Sequence, residues 1–260
     1  MVARAGLTMR IAAISDIHGN LAALEAVLAD IAARNVDVTV NLGDILSGPL
    51  QPVHTAERLM ALGLPTIRGN HERQLLTQTR AQMGPSDAFT WPQLQSKHRE
   101  WLASLPTALE LTPDVLLCHG TPASDLEYFL ETVEPTGARE ATEAEVATRA
   151  AGAPHALILC GHTHVPRVPR VRRLTDGRLV VNPGSAGLPA YKDDRPWPHV
   201  SEAGSPHARY ALCERGSDGA WNAEIVEVAY DWESAARTAE AHGRPDWAIA
   251  LRTGRMTPAA

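Results

Sequence analysis

Cysteine is scarce and carries no pattern: Cys118, Cys160 and Cys213 are an odd set of three without a CxxC spacing. That argues against a disulfide framework and a thiolate zinc site, and leaves three buried thiols as the expectation. No secretory leader is evident in Met1-Val-Ala-Arg-Ala-Gly-Leu-Thr-Met-Arg10, and no apolar stretch is long enough to cross a bilayer. Positive charge is not in excess either. With 24 basic against 30 acidic side chains the formal net charge is -6, so nothing draws the chain as a whole to nucleic acid or to an anionic membrane. A local basic patch keeps nucleic acid open as a partner. The class that remains is a soluble cytoplasmic enzyme or binding protein, whose function must reside in a site and not in its bulk charge.

Internal repeats and low-complexity linkers are also missing. The 260 residues, 44% of them from the AVILMFWYC set, suffice for one sizeable hydrophobic core. One domain is expected over residues 1–260, with its core at about 9–230 and a helical extension at 231–260 packed loosely on it.

Arg10 to Ser15 reads as a strand, and Leu21, Leu24, Leu28 and Ile31 then recur at helical spacing. The pattern repeats with a strand at Val36 to Leu42, a helix at Val53 to Ala61 and a strand at Pro65 to Arg68. Such alternation predicts parallel strands joined by helical crossovers. Gln78 to Gln95, with Gly84, Pro85 and Pro92, reads as an insertion of loops and short helices. Leu111 to Cys118 returns to strand, Thr121 to Thr136 is irregular, Arg139 to Ala151 reads as a helix and Ala156 to Cys160 as a buried strand. Beyond it the texture is antiparallel: Val165 to Arg173 against Arg178 to Val181 across Thr175-Asp176-Gly177, and Ala208 to Glu214 against Trp221 to Tyr230. The fold class is α/β, a mixed sandwich with outer helices.

Every strong metal-ligand candidate directly follows a predicted strand: Asp16 and His18, Asp44, Asn70, His119, and His162 with His164. Loops beyond the carboxyl ends of strands are where side chains of an α/β sheet converge. Seven oxygen or nitrogen donors are too many for one tetrahedral ion and enough for two ions sharing a carboxylate. Each fragment alone has a bland explanation, Asp-x-His as a helix cap and Gly-Asp as a turn. Five such fragments in order at strand ends are much harder to dismiss.

These five blocks, spread over Met9 to Tyr230, resemble the calcineurin-like metallophosphoesterase superfamily. The resemblance implies a four-layer sandwich of two mixed β-sheets flanked by helices, with a binuclear centre at one edge. By the same similarity Asp16, His18, Asp44 and His164 would hold one ion, and Asp44, Asn70, His119 and His162 the other, with Asp44 as the bridge. Ile14-Ser15-Asp16-Ile17-His18-Gly19-Asn20 and Val181-Asn182-Pro183-Gly184-Ser185 look like the small bacterial and archaeal phosphodiesterase branch. Ile45-Leu46-Ser47 after Gly43-Asp44 departs from the Asp-Arg-Gly continuation of the phosphoprotein phosphatase branch. The complete ligand set argues for catalysis over a non-catalytic interaction role.

The implied activity is hydrolysis of a phosphodiester by a metal-bridging hydroxide attacking phosphorus in line, with His71 protonating the leaving oxygen. A phosphomonoesterase acting on a small metabolite or nucleotide is the alternative. Manganese is the working cofactor, with iron or zinc also suited to carboxylate, amide and imidazole donors. Arg68, Asn182 and Tyr191 are candidate substrate contacts, and Trp197 near Lys192 and Arg195 lies in a segment able to fold back toward the site. Phe89, Trp91, Tyr128 and Phe129 read as lid anchors or as a stacking wall, and Arg167, Arg170, Arg172, Arg173 and Arg178 as one solvated hairpin face. The partner is a small phosphate ester, with a nucleotide and a homo-oligomer both left open.

Overall fold

A computed structural model describes residues 9–150, 152–166 and 172–256, apart from the side chains of 172 and 173. Short apolar runs at Arg10–Ile14 (β1) and Val38–Asn41 (β2) pair in parallel, and Ala208–Arg215 (β12) joins β1 antiparallel with Trp221–Val228 (β13) outside it. The first sheet therefore runs β13-β12-β1-β2. A second sheet is built on Val115–Cys118 (β4), Leu157–Leu159 (β7) and Leu179–Val181 (β9), all parallel. Ala108–Thr112 (β3) and Arg172–Arg173 (β8) flank them antiparallel, in the order β3-β4-β7-β9-β8.

Strand alternation sorts the core into layers. Ile11, Ala13, Val40, Ala211 and Trp221 of the first sheet meet Val115, Leu117, Leu159 and Val181 of the second in one buried cluster between the sheets. The opposite face of the first sheet, with Ala12, Ile14, Tyr210 and Leu212, packs on Leu21–Ala32 (α1), Pro52–Leu62 (α2), Asn70–Thr77 (α3) and Ser96–Ser104 (α5). The outer face of the second sheet, with Cys118, Ile158, Cys160 and Val180, packs on Glu143–Arg149 (α6) and Phe129. Helix, sheet, sheet and helix are the four layers expected. The three cysteines are free and buried.

Several expectations need correction. Pro113-Asp114 does not interrupt one strand but turns the chain, so Leu111 to Cys118 belongs to the hairpin β3–β4, with an irregularity between Glu110 and Thr112. Of the expected Arg139 to Ala151 helix, Glu143–Arg149 is helical, its front being taken by Gly137–Glu140 (β6), which pairs with Glu131–Glu134 (β5); Ala151 lies outside the described residues. The helix starts where Thr142 caps it, its hydroxyl accepting from Glu145 N–H. Pro65 to Arg68 contributes a single bridge, Thr66 to Asn41. The later half is not wholly antiparallel, since β9 lies parallel to β7. Ala190–Asp193 (β10) and His199–Glu202 (β11) form a hairpin that the sequence reading did not contain.

The insertion holds the short helix Pro85–Thr90 (α4) and one 3-10 turn. At the carboxyl end, Trp232–Ala241 (α7) and Pro245–Thr253 (α8) are not loosely attached. Ala236, Ala239, Trp247 and Leu251 are buried with Leu50, Leu188 and Ala190 in a cluster of their own. No helix among the described residues is long and apolar enough to cross a membrane.

Candidate metal centre

The parallel strands end on one edge of the sandwich. Asp16 and His18 follow β1, Asp44 follows β2, His119 follows β4, and His162 with His164 follows β7. Asn70 opens α3 just past the Asn41–Thr66 bridge. Asp16, His18, Asp44, His162 and His164 have φ between 51° and 70°, and among the described residues Asn35 alone joins them outside glycine. L-residues adopt this left-handed backbone at a cost, so its concentration in five candidate ligands marks loops shaped for their side chains. Hydrogen bonds over-determine the conformation: Asp16 N–H donates to Gly43 O, His18 N–H to Asp44 O and Gly187 N–H to Asp16 O, each at 3.0 Å. Ser185 Oγ donates to Asp16 O at 2.7 Å. Gly69 has no room for a Cβ, which would run into Asp44 Oδ1, so glycine there lets α3 approach the carboxylate.

Two donor clusters result. Asp16, His18 and His164 form one and Asp44, His119 and His162 the other, each with ligand atoms within 4.8 Å of one another. Asn70 Oδ1 lies 3.1 Å from His119 Nε2, beside the second cluster. In all four histidines the nitrogen turned away from the cluster donates to a main-chain carbonyl. Nδ1–H of His18 reaches Ser47 O at 2.7 Å, that of His119 reaches Leu42 O at 2.8 Å and that of His164 reaches Leu188 O at 2.7 Å. His162 is reversed, with Nε2–H donating to Leu126 O at 3.1 Å. In its neutral form each ring would turn a lone pair inward.

The consequence is sharpest where His18 Nε2 and His164 Nε2 face each other at 3.0 Å. Two lone pairs at that separation repel unless a cation lies between or beside them. Asp16 Oδ1 next to them is buried without a hydrogen-bond partner among the described residues, 3.4 Å from His164 Nε2. The donor set thus fits divalent cations on this structure's own geometry.

Electrostatics point the same way. Burial and then His164 push His18 down to about 3, and burial and then His119 push His162 down to about 4. Burial pulls His119 down too, but the Asp44 carboxylate overrides it and raises the ring to about 10. Burial alone would raise Asp16 and Asp44; His164 holds the first below its ordinary value and His119 with His71 holds the second well below. A proton on His119 answers a charge that a cation would otherwise answer.

Around the clusters opens a cavity of about 1180 Å³, with His18, Asp44, Asn70, His71, His162 and His164 in its lining. His71 is a quarter exposed there; its Nδ1 faces Asp87 Oδ1 at 2.7 Å and its N–H donates to Asp44 Oδ1 at 3.0 Å. Burial lowers the His71 ring while Asp44 and the hydrogen bond that the ring donates to Asp87 raise it, to about 9 on balance.

The calcineurin-like phosphoesterase superfamily domain matches residues 9–197, and that stretch contains every residue of both clusters. The chain belongs to this superfamily. A crystal structure of a metallophosphoesterase from Sphaerobacter thermophilus is similar at 28% identity and a TM-score of 0.73, covering 96% of this chain and 100% of that one. An uncharacterized protein of Methanocaldococcus jannaschii is 26% identical over 91% of this chain and 94% of its own length.

Within this calcineurin-like chain the seven expected ligand residues are brought to one edge, but the expected substrate contacts divide. Tyr191 lines the cavity, its ring 4.7 Å from that of His164. Arg68 and Asn182 are not in its lining. Asn182 Nδ2–H donates to Gly161 O and Thr163 Oγ1, bracing the His162 loop from behind, and Arg68 N–H donates to Pro106 O. Phe89 packs on His242 and Trp91 under Arg99, so both anchor the insertion, and Phe129 is buried in the core. Tyr128 joins Tyr191 at the cavity wall. Arg178 is held by Asp176 and by the carbonyls of Ala150 and Ala153. Arg167 and Arg170 lie outside the described residues, as do the side chains of Arg172 and Arg173.

Three contributors were missed. Glu72, fully buried, accepts from the N–H groups of Asp44, Ile45 and Gly69 and so ties the Asp44 loop to α3; burial and Asp44 raise its pKa. Its position three residues into a helix was the available signal. Asp87 comes from the insertion, where nothing in the sequence indicates its partner. Trp247 of α8 lies outside the family match and places its ring 5.9 Å from that of His18.

Proposed function

We infer that this superfamily member is a binuclear metal-dependent phosphodiesterase. The observation that carries the reading is the pair of adjacent donor clusters in which the outward nitrogen of every histidine donates to a main-chain carbonyl, leaving the other nitrogen for a cation. Asp16, His18 and His164 would hold one divalent ion and Asn70, His119 and His162 the other, with Asp44 shared between them; manganese is the working choice, with iron or zinc suited to the same donors. Two such ions supply Lewis-acid charge to the phosphate and make water a nucleophile at neutral pH.

The chain's own residues do the rest. Asp87 fixes the His71 ring through Nδ1, which leaves Nε2 to donate a proton to the leaving oxygen. Asp44 Oδ1 accepts from the His71 main chain, so one carboxylate ties the ligand set to the proton donor. Glu72 keeps the Asp44 loop in register through three N–H groups. Tyr191 and Trp247 limit the space over His164 and His18 and exclude water from it.

With manganese supplied, kcat/KM for an activated phosphodiester is expected to exceed that for the matched monoester. A strong preference for the monoester would replace this reading with a phosphomonoesterase.

A further inference from the structure

Beyond the donor clusters the cavity is lined by Ala190 to Asp193 of β10 and by Arg195 and Pro196 of the turn that follows it. That wall is pinned. His199 Nδ1–H donates to Trp197 O at 2.7 Å, so its Nε2 accepts from Tyr128 Oη at 2.9 Å, and Tyr128 Oη lies 2.6 Å from Tyr191 Oη. Tyr191 in turn packs on His164, so Lys192 follows directly on a residue seated against the metal cluster.

The charges lining the cavity separate into two groups. Arg73 is engaged by both oxygens of Asp125, Arg244 by Asp246 and Ser86, and Arg149 by the carbonyls of Phe129 and Glu131. The carboxylates are engaged too: Asp246 by Arg244, Glu127 by Thr121, and Asp193 by the Arg195 main-chain N–H. Lys192 and Arg195 are different. Both line the cavity, both are exposed, and neither side chain has a hydrogen bond or ion pair among the described residues. Lys192 stands opposite Val200 in the hairpin register, which offers its ammonium nothing. Asp193 and Asp194 lie between the two cations in sequence; Asp193 Oδ1 accepts from the Arg195 main-chain N–H and holds the turn that presents Arg195, and neither acid makes an ion pair with Lys192 or Arg195.

We propose that Lys192 and Arg195 form an anion subsite beyond the metal clusters, which selects phosphodiesters carrying a second phosphate group. The inference rests on the phosphodiesterase reading above and gives its substrate class. A phosphate on the substrate meets two cations that make no ion pair among the described residues, on a hairpin whose backbone is already fixed, so its binding must outweigh only the ordering of the two side chains and the repulsion of Asp193 and Asp194 between them. The interaction is exposed and so weakens with salt.

The test uses the manganese-loaded full chain and two nitrophenyl esters of thymidine 5′-phosphate, one with a free 3′-hydroxyl and one with a 3′-phosphate. At low salt the 3′-phosphorylated ester is expected to have the higher kcat/KM, by roughly tenfold, the scale for two exposed charge contacts. Lys192→Ala combined with Arg195→Ala should abolish that advantage and leave the unphosphorylated ester unchanged. Calorimetry with thymidine 3′,5′-bisphosphate against thymidine 5′-monophosphate reads the same preference in Kd without turnover. Equal values for the two ligands in wild type, or a preference that survives the double substitution, would overturn the proposal. If neither ester is hydrolysed while the bisphosphate binds more tightly and only through Lys192 and Arg195, the subsite stands and the phosphodiesterase reading falls.

Discussion

At the scale of single residues, His71 and Asp44 have separable tasks although one hydrogen bond joins them. His71 contributes its N–H to Asp44 Oδ1 from the main chain, which a substitution leaves in place, whereas its ring meets Asp87. His71→Asn should therefore keep metal binding and lose proton donation. The loss is expected to be roughly tenfold to several hundredfold on an alkoxide leaving group and much smaller on nitrophenolate, which leaves unprotonated. A leaving-group series with metal analysis of each preparation checks this; equal losses across the series would reject the proton-donor role. His98 gives a second residue-scale prediction, on stability. Its ring is fully buried in α5, where Nδ1 accepts from Gln95 N–H, and burial followed by Lys97 lowers its pKa. A histidine lowered on folding stabilises in the neutral form. Its contribution is complete above the unfolded value near 6.5 and is lost as pH falls below it. His98→Asn, whose amide oxygen can replace Nδ1 as acceptor, should show a shallower fall in unfolding free energy than wild type between about pH 6.5 and 5. Identical slopes would show that His98 does not titrate with folding.

At the scale of elements, the centre depends on loops from different strands touching through main chain. Gly187 sits where a Cβ would strike the carbonyl of Ile17, between the two loops that carry Asp16, His18 and the Ser185 brace. Gly187→Ala should cost roughly 1–3 kcal/mol by overpacking and reduce metal retention as the Asp16 loop is displaced. An unchanged denaturant midpoint would mean that the loops can part freely. The same scale explains what the sequence could disclose. Strand-loop-helix alternation announces itself through local periodicity, and ligands placed just after apolar runs are legible because a parallel sheet aligns its strand ends. Pairing partners are not local. Arg139 and Glu140 read as the front of a helix until Glu131–Glu134 is seen to pair with Gly137–Glu140, and Asp87 gains its meaning only from a histidine 16 residues away. Arg68 lies next to the motif in sequence, yet it precedes the extended N-cap Gly69 and is absent from the lining of the cavity that Arg73 of α3 helps to form.

At the scale of the whole molecule, the segment beyond the family match is part of the site. Helices α7 and α8 bury their small residues against Leu50 and Leu188 and bring Trp247 to the back of His18. The sequence suggested helices here but could not show which surface receives them, because a helical pattern identifies an element and not its packing partner. Residues from His18 to Met256 thus line one cavity beside the two donor clusters. The most direct test of that arrangement is elemental analysis after mild purification in manganese, of wild type beside Asp44→Asn. About two metal equivalents per wild-type chain are expected, with Asp44→Asn losing from both positions because they share that carboxylate. A fully occupied wild type that reproducibly retains a single ion, unaffected by the Asp44 substitution, would contradict the binuclear account.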